Sequence, residues 1–513
     1  MSSRIDTVGV VGTGVMGAGI AQIAAAAGIK VRLFDAREGA AAAACEGLRA
    51  TFDKLVAKGK MEPDAAQAAM ARLSPEPDIA ALKDCGLVIE AIVERLDAKQ
   101  QLIAQLEDVV SADAILATNT SSLSVTAIAV ECRHPERVAG FHFFNPVPLM
   151  RVVEIIPGFA TSEGTTQALS DLAKKLGHRG VVVKDTPGFI INHAGRAYGT
   201  EALRIVEEGV ASFPQVDAIL RDAVGFRMGP FELFDLTGLD VSHPATRAIF
   251  EQFYGDPRYK PSYIAEQRVV ARELGRKTGR GFYNYGAAAA CSTSTQVTPG
   301  TEAADLPAVW IAPSADFDTA DLAALVGACG GAVDHDDSPQ SGSLILMAPL
   351  GEDATSAALR LGYDPTRTVG IDLFTGVGTH RTLMGTPALD ARFADAARTV
   401  LTRDGGTVTF IGDSTGFVAQ RVLAMVVNLA CEIAQQRIAS PRDIDDAVRI
   451  GLGYPTGPLS WGDSLGADKI LTILTRIHAL SGDPRYRPGP WLRRRATLGL
   501  SLLHDEQPGR VKE

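Results

Sequence analysis

The 513-residue chain is poor in cysteine, in aromatic residues and in positive charge. Its six cysteines form no CxxC pair, so the sequence predicts neither a metal site of the zinc type nor a disulfide framework. Aromatic residues account for 6% of the chain and the net charge is -10. A nucleic-acid-binding surface needs clustered positive charge, so this class of partner is not expected.

The chain also lacks a long unbroken hydrophobic run. Residues 7–29 carry no charge, but glycines interrupt them and the pattern of a signal peptide is missing. We therefore predict no membrane span and a cytoplasmic protein with reduced thiols. Hydrophobic residues at 46% and 51 glycines are typical of a globular protein. The length suggests three or four domains if each takes about 150 residues.

Residues 1–187 alternate between apolar strands and helical stretches. A strand at 7–12, a helix at 15–28 and a strand at 29–35 form a β-α-β unit. Further strands are predicted at 86–91, 114–120, 137–144 and 180–185. This alternation predicts a Rossmann-like α/β domain with a doubly wound, mostly parallel sheet.

Amphipathic helices follow at 188–285 and indicate an all-α domain. Residues 286–308 are rich in Ala, Ser and Thr, which is typical of a linker. The helical domain then recurs, because residues 186–240 match 414–468 at a constant offset of 228. We expect this second copy to span 413–513.

Between the two helical copies, residues 366–378 resemble 136–148, which predicts a degenerate α/β segment at 309–412. The segment contains no GxGxxG motif, and Asp372 stands where His142 falls in the first copy.

The sequence "GTGVMG" opens the first predicted helix and supplies Gly12, Gly14 and Gly17. Glycines at this spacing permit a tight turn, close approach of a pyrophosphate and close helix packing. Asp35 ends the second strand, where a carboxylate accepts hydrogen bonds from ribose hydroxyls and repels a 2'-phosphate. We predict a dinucleotide site that prefers NAD to NADP, with FAD as the main competitor.

Two polar side chains stand within apolar strand sequence at 139–156. Glu154 lies among valines and isoleucines, where an unpaired charge is costly, and His142 is the nearest candidate partner. A carboxylate that orients an imidazole makes a general base. The alternative is a structural glutamate paired with Arg151. Ser121 and Asn192 add hydrogen-bond donors that a developing alkoxide requires.

These motifs together resemble the 3-hydroxyacyl-CoA dehydrogenase family. The resemblance is dense over residues 5–285 and keeps the family's order. It rests on "GTGVMG", "AIVERLDAK", "TNTSSLS", "FHFFNPVPLMRVVEI", "DTPGFIIN", "GPFELFDLTGLD" and "GRKTGRGFYNY". The family's fold is an NAD domain followed by a helical domain, as the patterns above predict.

The resemblance implies a role for each site residue. His142 is the base, Glu154 orients it, and Ser121 and Asn192 contact the substrate's C3 oxygen. Glu94, Lys99 and Asn145 belong to the cofactor side, the first two near the nicotinamide, and Thr51 and Lys58 to the CoA side. The charged pair and the lysine-rich helix end also fit a second interpretation, as solvated surface.

The chain departs from the family in two places. His193 follows Asn192 where relatives usually carry arginine, and Gln420 takes the place of Asn192 in the second copy. We expect the second copy to be non-catalytic. It stands in for the helical domain of a partner subunit in family dimers, although a homodimer of the whole chain stays possible.

The reaction implied by the resemblance is NAD-dependent oxidation of a (S)-3-hydroxyacyl-CoA to the 3-oxoacyl-CoA. Two-copy chains resemble bacterial enzymes of aromatic-acid breakdown, such as phenylacetate catabolism, which makes 3-hydroxyadipyl-CoA or 3-hydroxybutyryl-CoA the expected substrate. Two alternatives stay open here. One is a gulonate-type sugar-acid dehydrogenase, and the other is a non-catalytic NAD-binding scaffold.

Overall fold

A computed structural model describes residues 5–286 and 306–506. The predicted linker lies almost wholly outside these residues, as does Cys291. The other five cysteines are free thiols. The chain forms two compact units. Unit 1 contains the residues up to His193 together with Gln436–Gly453, and unit 2 contains Ala194–Gln435 and the residues from Tyr454 onward.

The strands fall into two sheets, one in each unit. They are β1 (Thr7–Val11), β2 (Lys30–Phe34), β3 (Leu73–Pro75), β4 (Leu87–Glu90), β5 (Ile115–Thr118), β6 (Val138–Phe143), β7 (Val152–Pro157) and β8 (Arg179–Val182) in unit 1, and β9 (Val309–Ile311), β10 (Val333–Asp334), β11 (Leu344–Met347), β12 (Thr368–Ile371), β13 (His380–Gly385) and β14 (Thr407–Ile411) in unit 2.

The helices cover the faces of the sheets and build the two helical copies. They are α1 (Val15–Ala26), α2 (Ala40–Ala57), α3 (Pro63–Met70), α4 (Leu96–Val109), α5 (Val125–Ala129), α6 (Glu163–Lys175), α7 (Ile191–Ala194), α8 (Arg196–Glu207), α9 (Phe213–Ala218), α10 (Pro230–Thr237), α11 (Leu239–Gln252), α12 (Tyr263–Val270), α13 (Ala320–Ala328), α14 (Ala354–Leu361), α15 (Ala391–Val400), α16 (Val418–Gln435), α17 (Pro441–Gly451), α18 (Pro458–Leu465), α19 (Ala467–Ser481) and α20 (Pro490–Leu498).

The sheet of unit 1 has eight strands in the order β3-β2-β1-β4-β5-β6-β7-β8. All neighbours are parallel except β6 and β7. Strands β4, β5 and β6 are buried along their whole length, as expected for strands covered by helices on both faces. The predicted Rossmann-like, doubly wound fold is thereby confirmed. The strand order reverses next to β1, which is where such sheets bind dinucleotides.

The sheet of unit 2 is a shorter version of the same design. Its six described strands run β10-β9-β11-β12-β13-β14, and only β12 and β13 are antiparallel. The antiparallel step between β12 and β13 matches that between β6 and β7, so the predicted degenerate α/β segment is confirmed.

Helix α16 forms the centre of the second helical copy. It is long and apolar enough to cross a membrane, but 89% of it is buried inside the protein, as in the core helix of a globular domain. Its Arg421 shares the carboxylate of Glu201 on α8 with Arg485, at 2.9 Å and 2.8 Å. The helical copies of unit 2 are therefore joined by buried ion pairs.

The division into units differs from the predicted domains. The first boundary falls after His193 and not after residue 187, and unit 2 contains most of both helical copies together with the second α/β segment. Residues 436–453, which contain α17, belong to unit 1 although the sequence assigns them to the second helical copy. Helix α17 packs on β7 and β8, and Arg179 of β8 donates to Asp443 and Asp446. A segment of the second copy thus completes the covering of the first sheet.

Candidate active site

The antiparallel register of β6 and β7 places His142 directly opposite Glu154. Their side chains meet with 2.7 Å between Nδ1 and Oε2, and the residues are 4% and 0% exposed. The second carboxylate oxygen accepts the backbone N–H groups of Ile190 and Ile191, both at 2.9 Å. The alternative partner, Arg151, is exposed and forms no ion pair with Glu154 among the described residues.

Two aromatic rings, both inclined to the imidazole plane by about 60°, pack near the imidazole of His142. The ring of Phe144 lies 4.3 Å from it and that of Phe189 lies 5.9 Å away, measured between centroids. Phe189 has a positive φ of 51°, a conformation that costs free energy in a non-glycine residue. This turn aims the next two N–H groups at Glu154. With Nδ1 bound to Glu154, Nε2 is the nitrogen left for a reacting proton.

Ser121 and Asn192 lie next to each other, near the strands that carry His142 and Glu154. Ser121 follows β5 and Asn192 lies on α7, and the Asn192 amide donates to the Ser121 carbonyl at 3.2 Å. Asn119, two residues before Ser121, accepts the N–H of Phe143 at 2.8 Å and so ties this loop to β6. Two neutral donor side chains therefore share one edge of the sheet with His142.

Glu94 accepts hydrogen bonds from the loop that contains Ser121. Its Oε1 accepts from the Ser121 N–H at 2.8 Å and the Ser122 N–H at 3.0 Å. Although burial raises the pKa of Glu94, Lys99 and these hydrogen bonds outweigh burial and lower it. Lys99 itself is 1% exposed and enclosed by Glu90 and Glu94. Its ammonium therefore faces two carboxylates, and its predicted contact with the nicotinamide side of NAD stays a prediction.

The glycine motif has the geometry that a dinucleotide requires. A Cβ on Gly17 would lie 1.9 Å from the Gly12 carbonyl oxygen, so the helix can pack this closely only without a side chain. A Cβ on Gly14 would meet nothing within 4 Å, which leaves space in front of the helix N-terminus for a pyrophosphate. Both features fit the NAD predicted from the sequence.

Asp35 stands at the end of β2, next to this motif. Its carboxylate accepts from Thr13 N–H at 2.8 Å and Arg37 N–H at 3.0 Å. Burial raises the pKa of Asp35, but the hydrogen bonds from Thr13 and Arg37 outweigh burial and keep the pKa well below its usual value. The residue is a fixed anion, as ribose binding requires.

The remaining predicted residues lie at the surface of unit 1. Lys58 is exposed and caps the C-terminus of α2, seven residues after Thr51 on the same helix face. The Thr51 hydroxyl donates to the Gly47 carbonyl at 2.9 Å. Asn145 is exposed two residues beyond β6.

Glu90, the last residue of β4, is fully buried and was not among the residues predicted from the sequence. Its carboxylate accepts from Lys99, from the Thr118 hydroxyl and from the Ile92 N–H. The available signal was the one used for Glu154, a carboxylate inside an apolar strand.

Comparisons with known proteins agree with this geometry. The family described as "3-hydroxyacyl-CoA dehydrogenase, NAD binding domain" matches residues 7–186. The family described as "3-hydroxyacyl-CoA dehydrogenase, C-terminal domain" matches twice, at 188–285 and 416–502. The chain belongs to the 3-hydroxyacyl-CoA dehydrogenase family. The double match also confirms the duplication of the helical domain.

Relatives in the 3-hydroxyacyl-CoA dehydrogenase family fall into two lengths. The "3-hydroxyadipyl-CoA dehydrogenase" of Escherichia coli K12 is 38% identical over 97% of this chain and 99% of its own. The mitochondrial "hydroxyacyl-coenzyme A dehydrogenase" of Rattus norvegicus is 41% identical over 55% of this chain and 91% of its own. The short relatives thus match about half of this chain.

A solved structure has the same full-length architecture. The crystal structure of "3-hydroxybutyryl-CoA dehydrogenase" from Escherichia coli K12 covers 97% of this chain and 99% of its own, at 37% identity and a TM-score of 0.84. As a member of this dehydrogenase family, the chain is an NAD-dependent dehydrogenase that oxidises 3-hydroxyacyl-CoA thioesters. This membership favours the acyl-CoA prediction over the sugar-acid and scaffold alternatives.

Proposed function

We propose that His142 is the general base that removes the hydroxyl proton of a (S)-3-hydroxyacyl-CoA. The observation that carries this proposal is the buried contact of 2.7 Å between His142 Nδ1 and Glu154. Because Glu154 holds Nδ1, the Nε2 atom takes the proton, and the carboxylate stabilises the imidazolium that forms. In the reverse direction the imidazolium returns that proton to the C3 oxygen.

Ser121 and Asn192 donate hydrogen bonds to the C3 oxygen in this proposal. Both side chains are neutral, so they stabilise the developing negative charge without lowering the basicity of the nearby imidazole through an added charge. Gly12, Gly14, Gly17 and Asp35 hold NAD, which supplies the hydride acceptor for C3. Glu94 and Asn145 line the cofactor side.

The proposed substrate is 3-hydroxyadipyl-CoA, with 3-hydroxybutyryl-CoA as the alternative. The relatives matched over their full length with both helical copies carry these two names. Thr51 on α2 and Lys58 at its C-terminal end are proposed to contact the CoA moiety. The phosphates of CoA are anionic, so an acidic protein needs a local positive charge to bind them.

The substrate proposal is tested by following NADH oxidation with 3-oxoacyl-CoAs of matched length, with and without a terminal carboxylate. We expect a higher kcat/KM for the 3-oxoadipyl thioester than for the uncharged six-carbon thioester. Equal values for the pair would remove the dicarboxylate preference, and a preference for the four-carbon thioester would favour the alternative.

The second helical copy is proposed to replace the helical domain of a partner subunit. Arg485 of the second copy binds Glu201 of the first, and Arg258 of the first lies 3.2 Å from Glu432 of the second. Arg258 and Arg485 occupy corresponding "GDPRY" sequences, and each reaches a glutamate on a helix of the other copy, α16 or α8. The two glutamates do not align, because at the offset of 228 Glu201 matches Leu429 and Glu432 matches Arg204, so the contacts resemble those of a symmetric dimer only in their arginines.

Denaturant unfolding, which measures stability, and light scattering, which measures the mass in solution, test this arrangement. We expect Glu201→Gln to destabilise the fold by about 3 to 5 kcal/mol, because two buried guanidinium groups lose a charged partner, while the mass in solution stays unchanged. Glu251→Gln is the matched control, since Glu251 and Arg247 form an exposed pair at 3.8 Å. A mass that falls upon Glu201→Gln would contradict an intrachain contact.

A further inference from the structure

Three charged side chains form a continuous chain from buried Glu90 on β4, through buried Lys99, to the exposed Glu94 at the Ser121 loop. Lys99 Nζ lies 2.8 Å and 2.9 Å from the two oxygens of Glu90 and 3.4 Å from Oε2 of Glu94. Glu90 and Lys99 are 0% and 1% exposed. Glu94 is the end of this chain that reaches the loop carrying Ser121.

Glu90 fixes the position of the ammonium group. Two carboxylates share one buried ammonium group, and the shorter contacts go to Glu90, which is buried, while the side chain of Glu94 is 35% exposed. The Thr118 hydroxyl and the Ile92 N–H satisfy the same carboxylate, so Glu90 cannot move without leaving a buried donor unpaired. Lys99 is therefore held in place and offers Glu94 a fixed positive charge.

Glu94 in turn holds the loop through Oε1. This oxygen accepts from Thr120 Oγ1 at 2.7 Å, Ser121 N at 2.8 Å, Ser122 N at 3.0 Å, Ser122 Oγ at 3.1 Å and Ser121 Oγ at 3.2 Å. Five donors compete for the lone pairs of one oxygen. The Ser121 hydroxyl has the longest contact, so it is released at the smallest cost while the backbone N–H groups keep the loop in place.

We propose that Glu90, Lys99 and Glu94 are positioning residues that present the Ser121 hydroxyl to the C3 oxygen of the substrate. A hydroxyl has one proton, so Ser121 turns that proton from Glu94 to the substrate oxygen upon binding. The inference rests on the proposed function, because that function gives Ser121 its role. It gives a role to Glu90, which was not among the predicted site residues. It also makes Lys99 a positioning residue, whereas the sequence predicted a cofactor contact for it.

A double-mutant cycle between Glu90 and Ser121 tests the inference. Ser121→Ala is expected to lower kcat by about 100-fold, as for loss of one donor to an oxyanion. Glu90→Gln alone is expected to lower kcat by about 10-fold with KM for NADH changed by less than about twofold. In the Ser121→Ala background the same change is expected to lower kcat by less than about twofold, because its effect is exerted through Ser121.

Glu107→Gln is the matched control. Glu107 lies on α4 like Lys99, is 7% exposed and accepts the N–H groups of Arg133 and His134. Its loss is expected to affect kcat equally in both backgrounds. If Glu90→Gln does not fold, the variant Glu90→Gln with Lys99→Met replaces it, because removing both charges leaves none unpaired. The same coupling to Ser121 is expected, with a fall in kcat when Ser121 is present and a change of less than about twofold after Ser121→Ala.

Two results would overturn the inference. One is an equal loss of kcat upon Glu90→Gln with and without Ser121, and the other is unchanged kcat in the folded variant. Full turnover by Ser121→Ala would overturn both the inference and the proposed role of Ser121. Full turnover by His142→Ala with an intact Glu90 to Ser121 coupling would overturn the base alone and support the inference.

Discussion

The two α/β segments place different side chains at the same position of the same strand pair. In unit 1, His142 faces Glu154 across β6 and β7. In unit 2, Asp372 follows β12 and donates its N–H to the carbonyl of Thr382 on β13, at 3.0 Å. The backbone arrangement persists, while the base and its orienting acid are both replaced.

The space around the two centres differs too. Gln420, which takes the place of Asn192, donates to Asp372 at 3.0 Å and to the Pro349 carbonyl at 3.1 Å, and it accepts the Gly351 N–H at 2.8 Å. The cavity beside Asp372 measures about 10 Å³, room for about one water molecule. The second centre, which consists of Asp372 and its neighbours in unit 2, is filled by its own side chains. Duplication therefore preserved the fold but not the catalytic residues.

The largest difference is expected between His142→Ala and Asp372→Asn. The first removes the base and should lower kcat by about 100- to 10,000-fold. The second, the matched control, should leave turnover unchanged because its centre admits no substrate. NADH formation from a (S)-3-hydroxyacyl-CoA measures both. A comparable loss in the two variants would mean that the second centre takes part in the reaction.

The residues opposite His142 and Asp372 give the next comparison. Glu154→Gln keeps the shape of the side chain but removes the charge that stabilises the imidazolium, so we expect kcat to fall by about 100-fold or more. Thr382→Val at the corresponding position should leave kcat within about twofold of the unaltered enzyme. Equal kcat in the Glu154 variant and the unaltered enzyme would remove the carboxylate from the mechanism.

The two α/β segments are also expected to differ in NADH binding at the carboxyl ends of their strands. In unit 2 the space beside β9 and β11 measures about 110 Å³, below the roughly 300 Å³ typical of ligand pockets. Arg476 closes it by donating to Asp316 at 2.7 Å. Titration calorimetry should find one NADH per chain, weakened about 10-fold by Asp35→Asn and not by Asp316→Asn. Two NADH molecules per chain would contradict this difference.

The smallest effect concerns the stability of the second centre. Burial raises the pKa of Asp372 from 3.8 to about 6, although hydrogen bonds from Gln420 and Phe374 oppose it. The folded state then binds more protons than the unfolded state between these values, so the free energy of unfolding falls as the pH rises through this range.

Asp372→Asn removes that charge and keeps the acceptor oxygen. Denaturant unfolding should show the variant more stable than the unaltered chain by about 1 to 3 kcal/mol at pH 8, with the difference vanishing near pH 4. A variant that is less stable at pH 8 would indicate that the ionised carboxylate stabilises unit 2.

Strand and motif patterns predicted most of this structure. The buried position of Glu154 predicted its partner correctly, because an apolar strand leaves a charge few choices. The same reasoning was not extended to Glu90, whose partner Lys99 lies on a helix nine residues later. The placement of 436–453 in unit 1 could not be predicted either. It depends on tertiary packing of α17 on β7 and β8, which leaves no local pattern in the sequence.

A crystal structure with NAD and a 3-oxoacyl-CoA tests the central claim most directly. The account predicts one cofactor and one thioester, both at the first centre, with His142 Nε2 within about 3.2 Å of the C3 oxygen while Nδ1 stays on Glu154. A thioester bound at the second centre, or a C3 oxygen out of reach of His142, would contradict it.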